Sequence, residues 1–127
     1  MSSISIVIVN FNSGAFLEAA IDSLRRLTPS SELIVIDNAS SDSSVDFLKP
    51  HRGLIFVKLD ENYGFGAASN IGAAKATNDL ILFLNPDAFL PEGTLRKMTE
   101  YLAAHPESGL CGALLLDLQG REQAGSR

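Results

Sequence analysis

The sequence has little of several features that mark particular classes of protein. It contains one cysteine, Cys111, and no tryptophan among its 127 residues. A single cysteine excludes both an intrachain disulfide and a zinc site built from several thiolates, so nothing points to an oxidising compartment. We therefore expect a reduced, cytoplasmic setting.

Basic residues are also scarce. Lys and Arg total 10 against 15 Asp and Glu, which gives a formal net charge of −5. Proteins that track a phosphate backbone carry a basic excess instead. Nucleic acid is therefore not an expected partner.

Long hydrophobic runs are absent as well. The most apolar stretches are residues 4–9 and 80–84, whereas a helix needs about 20 apolar residues to cross a bilayer. The first residues carry neither a basic segment nor a small-residue cleavage site, so we expect no signal peptide and no transmembrane helix. With 46% hydrophobic and 20% charged residues, the composition is that of one globular domain.

The sequence does contain a regular alternation of apolar runs of strand length with segments whose apolar residues have helical spacing. Five apolar runs of strand length cover residues 4–9, 33–36, 54–59, 80–84 and 110–116. Several are apolar at nearly every residue, which is typical of strands buried on both faces of a parallel sheet. Between them, helical spacing and capping signals predict helices over 14–27, 43–48, 66–77 and 92–104. The alternation predicts an α/β fold with an open, mainly parallel sheet and helices on both faces.

Each of the first four runs is followed by Asp or Asn. The four ends read Asn10-Phe11-Asn12, Asp37-Asn38, Asp60-Glu61-Asn62 and Asn85-Pro86-Asp87. At any single strand end, such residues often serve only turns and caps. In open parallel sheets, however, ligands bind beyond the carboxyl ends of the strands. Four such ends on one edge favour a crevice lined with oxygen acceptors and amide donors.

A glycine-containing segment, Asn62-Tyr63-Gly64-Phe65-Gly66, leads into the third predicted helix. Glycines allow positive φ, and a helix N-terminus presents unpaired N–H groups to an anion. A structural turn and a cradle for a diphosphate are equally compatible with this loop. It is not the dinucleotide-binding fingerprint, because Ser69 stands where that motif requires a third glycine.

Candidate metal ligands and nucleophiles are few. Asp87 is the candidate ligand, because a carboxylate just past a buried strand, held by Pro86, suits Mg²⁺ or Mn²⁺. A single Asp in a turn is, however, more often only a turn residue. His51 and His105 stand beside prolines at element ends and are expected at the surface, and Cys111 is expected to be a small core residue.

Four blocks of the sequence resemble, in order, the motifs of family-2 glycosyltransferases of the GT-A fold: residues 4–12, 34–42, 62–66 with Asn70 and Gly72, and 83–87. The blocks cover nearly all of the chain. The resemblance implies a Rossmann-like, nucleotide-binding half whose strands are ordered 3-2-1-4, with a crevice between the ends of the first and fourth strands. It also implies an inverting transfer of a sugar from a nucleotide-diphosphate donor to an acceptor hydroxyl.

The resemblance also implies roles for individual residues. Asp87 would bind a divalent ion, Mn²⁺ or Mg²⁺, which neutralises charge on the leaving diphosphate. The other implied contacts are Val9, Asn10, Phe11 and Asp37 for the base, Asn62, Gly64, Gly66 and Asn70 along the nucleotide and diphosphate, and Asn85 near the ribose.

The sequence departs from the family pattern in two respects. Asn85 replaces the first Asp of the usual D-x-D motif, which lowers the expected metal affinity. The family's catalytic base lies in a later, acceptor-binding half, and this sequence ends at Arg127 before that half begins. Residues 1–127 are therefore expected to be the nucleotide-sugar-binding part alone, with no residue assignable as the base. The Asn-Pro-Asp variant and residues 117–127 resemble the rhamnosyltransferase branch, which implies dTDP-rhamnose as the donor.

Two other functions stay open. A nucleotide-dependent oxidoreductase, with Asp37 on a ribose hydroxyl, is disfavoured because the first turn offers a single glycine, Gly14. A nucleotide-binding fragment without turnover is favoured by the missing base; if the chain does transfer sugar, Asp60, Glu61 and Asp117 are the first candidate bases.

The expected partners follow from the implied activity. They are a nucleotide-diphosphate sugar and a carbohydrate or lipid-linked acceptor, in cell-wall or polysaccharide biosynthesis. A second copy of the chain is a further expected partner, because an exposed sheet edge favours self-association. Any association with the inner face of the membrane would use regions outside this sequence.

Overall fold

The computed structural model describes residues 3–49 and 52–124. Within them lie β1 (Ile4–Asn10), α1 (Phe16–Leu27), β2 (Glu32–Asp37), β3 (Leu54–Lys58), α2 (Phe65–Ala73), β4 (Leu80–Phe83) and α3 (Thr94–Ala104). The chain divides into two compact units, Met1–Leu90 and Pro91–Arg127. The strands, α1 and α2 belong to the first unit, and α3 belongs to the second.

The strands of the first unit form one parallel sheet in the order β3-β2-β1-β4. The register places Asn10 opposite Asp37 across β1 and β2, and Val7 opposite Phe83 across β1 and β4. The predicted α/β class, the parallel sheet and its strand order are confirmed. Because β1 and β4 are neighbours, their carboxyl ends lie side by side.

The central strands are buried on both faces, which explains why their sequences are apolar at nearly every residue. On one face, Val7 and Val9 of β1 lie beside Ile34 and Ile36 of β2 and pack against Ala68 of α2. The opposite face carries a second buried set, namely Ile6, Ile8, Leu33 and Val35.

The two helices of this unit cover opposite faces of the sheet. α1 connects β1 to β2, whereas α2 connects β3 to β4 and so crosses the sheet in the opposite direction. Since parallel crossovers are right-handed, opposite directions place the helices on opposite faces. The buried residues of α1 lie on one helical face and are Leu17, Ala20, Ile21 and Leu24, whereas the apolar Phe16 at its start is 55% exposed.

α2 approaches the sheet most closely at Gly72. A Cβ atom at this position would overlap Val7 Cγ1 and lie 3.3 Å from Ile36 Cγ1. The absence of a side chain therefore allows the helix backbone to lie directly on β1 and β2. As in any parallel crossover, α2 begins at the carboxyl edge of the sheet, where ligands are expected.

Two predicted elements are wrong. Residues 110–116 form no strand; Leu116 makes only an isolated antiparallel bridge with Glu122. Leu110 and Leu114 are 83% and 60% exposed, so the run is not buried in a sheet within the described residues of its unit. Residues 43–48 form turns with Asp46 N–H donating to Ser43 O at 3.1 Å, because so short a segment cannot repay helix nucleation.

The remaining differences are small. α2 ends at Ala73 and continues as turns, and α3 begins at Thr94 because Gly93 has a positive φ of 80°. Cys111, expected in the core, is only partly buried. His105 is partly exposed and stacks on Tyr101, and His51 lies outside the described residues. No helix in the described ranges is long and apolar enough to cross a membrane.

Candidate functional site

Asn10 and Asp37 form the buried centre of the carboxyl edge. They end β1 and β2 in direct register, and both are 0% exposed. Asn10 Nδ2 donates to Asp37 Oδ1 at 3.0 Å and lies 3.1 and 2.9 Å from the hydroxyl oxygens of Ser40 and Ser44. Asn10 Oδ1 accepts a hydrogen bond from the Ser13 hydroxyl. One carboxamide therefore joins β1, β2 and the loops that follow each of them.

The other carboxylate oxygen of Asp37, Oδ2, is buried and has no hydrogen-bond partner in the described structure. An unpaired buried polar group costs roughly 1–3 kcal/mol, and native proteins contain few of them. Ser69 Oγ on α2 is a second such atom. Asp37 Oδ2 is thus a buried acceptor whose hydrogen bond no group in the described structure supplies.

Asn12 and Asp42 lock the first loop onto the second. Asn12, at a positive φ of 50°, accepts from the backbone N–H groups of Ser41 and Asp42 at 2.8 and 3.2 Å. Asp42 in turn accepts from Gly14 N at 2.9 Å and from the Ser44 hydroxyl. The hydrogen bond from Ser44, aided by that from Gly14, holds the pKa of Asp42 below its usual value.

Asn38 and Asn62 tie the end of β2 to the start of α2. Asn38 Nδ2 donates to Asn62 Oδ1 at 2.8 Å, and Asn38 Oδ1 accepts from Tyr63 N at 3.0 Å. Asn62 Oδ1 also accepts from Gly64 N at 2.9 Å. Gly64 has φ of 82°, a value that favours glycine. The turn before α2 is therefore held by side chains rather than left loose.

The first turn of α2 presents unpaired amides. The backbone N–H groups of Phe65, Gly66 and Ala67 meet no acceptor among the described residues, and no side chain caps the helix. Such a terminus carries a partial positive charge and favours anions. Asn70 is exposed one turn further along the helix. A diphosphate fits this chemistry.

Tyr63 is also fixed at this edge. Its hydroxyl donates to Asp60 Oδ1 at 2.8 Å. This hydrogen bond raises the pKa of Tyr63 and lowers the pKa of Asp60. The ring is 45% exposed, so it presents an aromatic surface beside the start of α2.

The turn after β4 has a different character. Leu84 N donates to Val7 O at 3.0 Å, and Ala88 N closes the turn on Asn85 O at 3.1 Å. Asn85 and Asp87 are exposed, and the Asp87 carboxylate meets no hydrogen-bond donor or cation in the part of the chain described. No group of three His, Cys, Asp or Glu residues in that part could hold a metal ion.

The donor set nevertheless fits a divalent ion completed by substrate. Mg²⁺ is usually bound through one or two carboxylates together with phosphate oxygens and water. Asp87 supplies one free carboxylate, and Asn85 supplies a neutral amide oxygen. The remaining ligands would have to come from a diphosphate and from solvent.

The structure places the predicted site residues in two groups. Val9, Asn10 and Asp37 have buried side chains, and the last two are bonded to each other. The exposed group at the same edge consists of Phe11, Asn62, Gly64, Gly66, Asn70, Asn85 and Asp87.

Sequence reasoning placed Asn12 and Asn38 at strand ends but did not predict that they join loops to one another. It assigned no role to four other residues that hold the edge together, namely Ser13, Ser40, Asp42 and Ser44. Their signal was the density of Ser, Asn and Asp in two short loops, since these side chains bond nearby backbone groups.

Comparison with known proteins agrees with this architecture. Residues 5–125 match the family model described as Glycosyl transferase family 2. An uncharacterized glycosyltransferase of Haemophilus influenzae is 34% identical over 108 residues, which cover 80% of this chain and 43% of that protein. A PGL/p-HBAD biosynthesis glycosyltransferase of Mycobacterium bovis is 33% identical over 112 residues, or 84% and 44%. The chain thus spans less than half the length of these two curated relatives.

Two solved structures share the fold. Residues 1-349 of TarS from S. aureus superpose with a TM-score of 0.71 at 22% identity, covering 82% of this chain and 33% of that one. The mannosyltransferase PcManGT from Pyrobaculum calidifontis, solved with GDP-Man and Mn²⁺, gives 0.72 at 23% identity, covering 79% and 32%. These structures support the fold alone, whereas the family model matches nearly the whole sequence. This chain therefore belongs to glycosyl transferase family 2.

Proposed function

We propose that this chain is the donor-binding part of an enzyme that transfers a sugar from a nucleotide-diphosphate sugar to an acceptor hydroxyl. The observation that carries the proposal is the unpaired, buried Oδ2 of Asp37 at the carboxyl end of β2. In open α/β sheets this edge is where nucleotides bind. An N–H group of a base would give the oxygen its missing hydrogen bond, once the residues that cover it move aside.

The diphosphate would lie against the start of α2. The unpaired amides of Phe65 and Gly66 favour negative charge there. Gly64 and Gly66 carry no side chains that would keep phosphate oxygens away from the backbone. Asn70 would donate from the exposed side of the helix, and Asn62 holds the turn from which the helix starts.

A divalent ion, Mn²⁺ or Mg²⁺, would bind at Asp87. When bound, it would neutralise negative charge that develops on the leaving diphosphate. Asn85 would lie near the ribose and adds no negative charge, so we expect a modest metal affinity. The mannosyltransferase structure with GDP-Man and Mn²⁺ is the comparison that supports a metal-dependent donor site.

The finer assignments follow the resemblance of the motifs. The proposed reaction inverts the anomeric carbon, the proposed donor is dTDP-rhamnose, and the proposed acceptor is a carbohydrate or lipid-linked hydroxyl in cell-wall or polysaccharide biosynthesis. Acceptor binding and proton removal would belong to a second half, in keeping with relatives more than twice as long as the matched region.

A panel of dTDP, UDP, GDP and ADP, titrated calorimetrically with and without Mn²⁺, tests donor binding. Asp37→Asn is the decisive variant. In this variant the oxygen of the new amide side chain still accepts from Asn10 Nδ2. Its NH₂ group then occupies the position of Oδ2, where it faces the N–H group of a base and repels it. We expect a loss on the order of 1.5–3 kcal/mol for the preferred nucleotide, in metal-free buffer as well.

The matched control is Asp46→Asn, which changes an exposed Asp in the same loop between β2 and β3. It should bind as the wild type does. Equal affinities for Asp37→Asn and wild type would show that the base does not reach Asp37. If GDP binds most tightly of the four nucleotides, dTDP-rhamnose is refuted as the donor, but the proposal of a nucleotide site stands.

A nucleotide-binding function without turnover is the second candidate for the isolated chain. Hydrogen bonds from Tyr63 to Asp60 lower the pKa of Asp60, and the backbone N–H of Arg121 does the same for Asp117. A carboxylate with a lowered pKa is a poor general base. We therefore expect no measurable transfer to an acceptor from residues 1–127; transfer that Glu61→Gln abolishes would contradict this.

A further inference from the structure

A polar cluster at the amino edge of the sheet, opposite the proposed donor site, holds the far end of the α2 segment. This amino-edge cluster consists of Ser5, Glu32, Thr77 and Asn78. Glu32 Oε2 accepts from the Ser5 hydroxyl at 2.6 Å and from Thr77 N at 3.0 Å, and Oε1 accepts from the Thr77 hydroxyl at 3.0 Å. Ser5 Oγ accepts from Asn78 Nδ2 and N at 3.0 and 3.3 Å. Residues far apart in sequence are thereby fixed to one another.

Glu32 is the centre of this cluster. Partial burial acts to raise its pKa, but the hydrogen bonds from Ser5 and Thr77 outweigh that effect and the pKa lies below its usual value. The side chain is therefore an ionised acceptor, and charge-assisted hydrogen bonds are stronger and shorter than neutral ones. The link between β2 and Thr77 is a firm one.

The connection from α2 toward Thr77 is hydrogen-bonded as far as Ala76. Ala74 N donates to Asn70 O at 3.0 Å, Lys75 N to Gly72 O at 3.0 Å and Ala76 N to Ala73 O at 3.1 Å. These successive turns continue the helical winding beyond Ala73. A nine-residue helix is about 13 Å long and moves as a unit. An axial shift at its last turn therefore reaches its first turn.

Three supports consequently set the position of α2 on the sheet. They are the amino-edge cluster beyond the last turn, the apolar packing of Ala68 and Gly72 on the sheet, and the bonds of Asn62 to Asn38 and Gly64 before the first turn. The apolar packing holds α2 against the sheet. The hydrogen bonds at the two ends are directional, so they add the constraint along the helix axis.

We propose that Glu32 is a positioning residue, which sets the axial position of α2 and thereby aims the amides of its first turn at the diphosphate. The inference rests on the proposed donor site. Misplacing a binding group by about 1 Å can cost up to roughly a hundredfold in function. A residue at the opposite edge of the sheet would thus control recognition of the diphosphate without touching it.

The experiment compares dTDP with dTMP, because the first turn of α2 is proposed to bind the diphosphate and not the nucleoside. In the wild type we expect dTDP to bind more tightly. In Glu32→Ala the dTDP advantage should fall by about tenfold, with the affinity for dTMP changed less than about twofold. Thr77→Val removes one of the three hydrogen bonds to Glu32, so the ratio of dTDP to dTMP affinity should fall by an intermediate amount. Thr77→Ser keeps all three bonds and should therefore show the wild-type ratio.

The control is Thr28→Val, at the same edge but at the end of α1, where the hydroxyl donates to Leu24 O at 2.8 Å. We expect it to lower stability without changing the dTDP to dTMP ratio. A wild-type ratio in folded Glu32→Ala would refute the positioning role. If Glu32→Ala does not fold, Glu32→Gln and Thr77→Val carry the same comparison.

A ligand-free measurement separates this proposal from the donor site. Hydrogen exchange at residues 68–73, whose amides are bonded from Ala68 N to Gly64 O onward, should become faster in Glu32→Ala than in Thr28→Val at equal global stability. If exchange is faster in Glu32→Ala but the wild type binds neither dTDP nor dTMP, Glu32 still positions α2 and the proposed donor site is refuted. Unchanged exchange would refute the link itself.

Discussion

The carboxyl ends of β1 and β2 differ from that of β4, although all three are followed by Asp or Asn. Asn10 and Asp37 are buried, bonded to each other and enclosed by serine hydroxyls. Asn85 and Asp87 are exposed, and the described structure gives their side chains no partner. The same residue types therefore form a buried, hydrogen-bonded wall at the ends of β1 and β2, made of Asn10, Asp37, Ser40 and Ser44. At the end of β4 they leave side chains free to bind a ligand.

The position of each strand explains the difference. β1 and β2 are central, and the loops after them pack against each other through Asn12 and Asp42. β4 is a short edge strand, and its turn is closed only by the backbone bond from Ala88. The bonds within the wall hold Asp37 in one orientation, in which it could accept from a base once the residues that cover its Oδ2 atom move aside. An unconstrained carboxylate instead suits an ion whose other ligands arrive with the substrate.

The largest effect that tests this contrast is expected from Asn10→Ala. Its loss leaves the Asp37 carboxylate and the hydroxyls of Ser40 and Ser44 short of partners in a buried site. We expect the free energy of unfolding to fall by roughly 3 kcal/mol. Urea denaturation of Asn85→Ala is the paired measurement, and it should differ from the wild type by less than about 0.5 kcal/mol. Equal losses in the two variants would remove the distinction between wall and open turn.

A second, smaller effect concerns acid. The pKa of Asp42 is lower in the folded chain than its ordinary 3.8, so its ionised form stabilises the fold above that value. This stabilisation is lost as the pH falls through the folded pKa. Asp42→Asn should therefore lower Tm at pH 7, and the gap from wild type should close as the pH drops below about 4. A gap that persists unchanged at pH 3 would contradict the role given to the charge.

The smallest effect on stability is expected from Asp87→Asn. Because the carboxylate makes no contact that folding needs, the free energy of unfolding, followed through Tm, should change by less than about 0.5 kcal/mol. The variant should instead lose the gain in dTDP affinity that Mn²⁺ gives the wild type. If Mn²⁺ tightens binding equally in both proteins, the ion is held elsewhere.

Much of the fold was predictable because burial leaves a direct mark on sequence. The central strands are apolar at nearly every residue, and helical spacing predicted a helix over 14–27, where the structure has α1 with Leu17, Ile21 and Leu24 buried. The run at 110–116 has an equally apolar sequence and failed, because pairing needs a neighbouring strand that a run cannot specify. Segment 43–48 failed because it is too short to repay helix nucleation, and its Ser44 bonds instead to Asn10 and Asp42.

The candidate site was predictable in place but not in the use of each residue. Asp and Asn after four strands located the carboxyl edge, and the glycines at 64 and 66 located the start of α2. Whether Asp37 is bonded inward or exposed depends on what lies across from it. Its partner Asn10 is 27 positions away and becomes a neighbour only through the register of β1 and β2.

The sequence by itself determined the α/β class, because hydrophobic period is a local property. The order of the strands was implied by the resemblance to family motifs, and the composition of the strand ends predicted the edge at which a ligand would bind. Only the tertiary structure decided which polar residues form the wall, which remain free, and that Glu32 holds the far end of α2. Those outcomes depend on hydrogen bonds between residues distant in the chain, such as Ser5 with Asn78. Distance in space, which no local pattern encodes, sets the strength of each of these bonds.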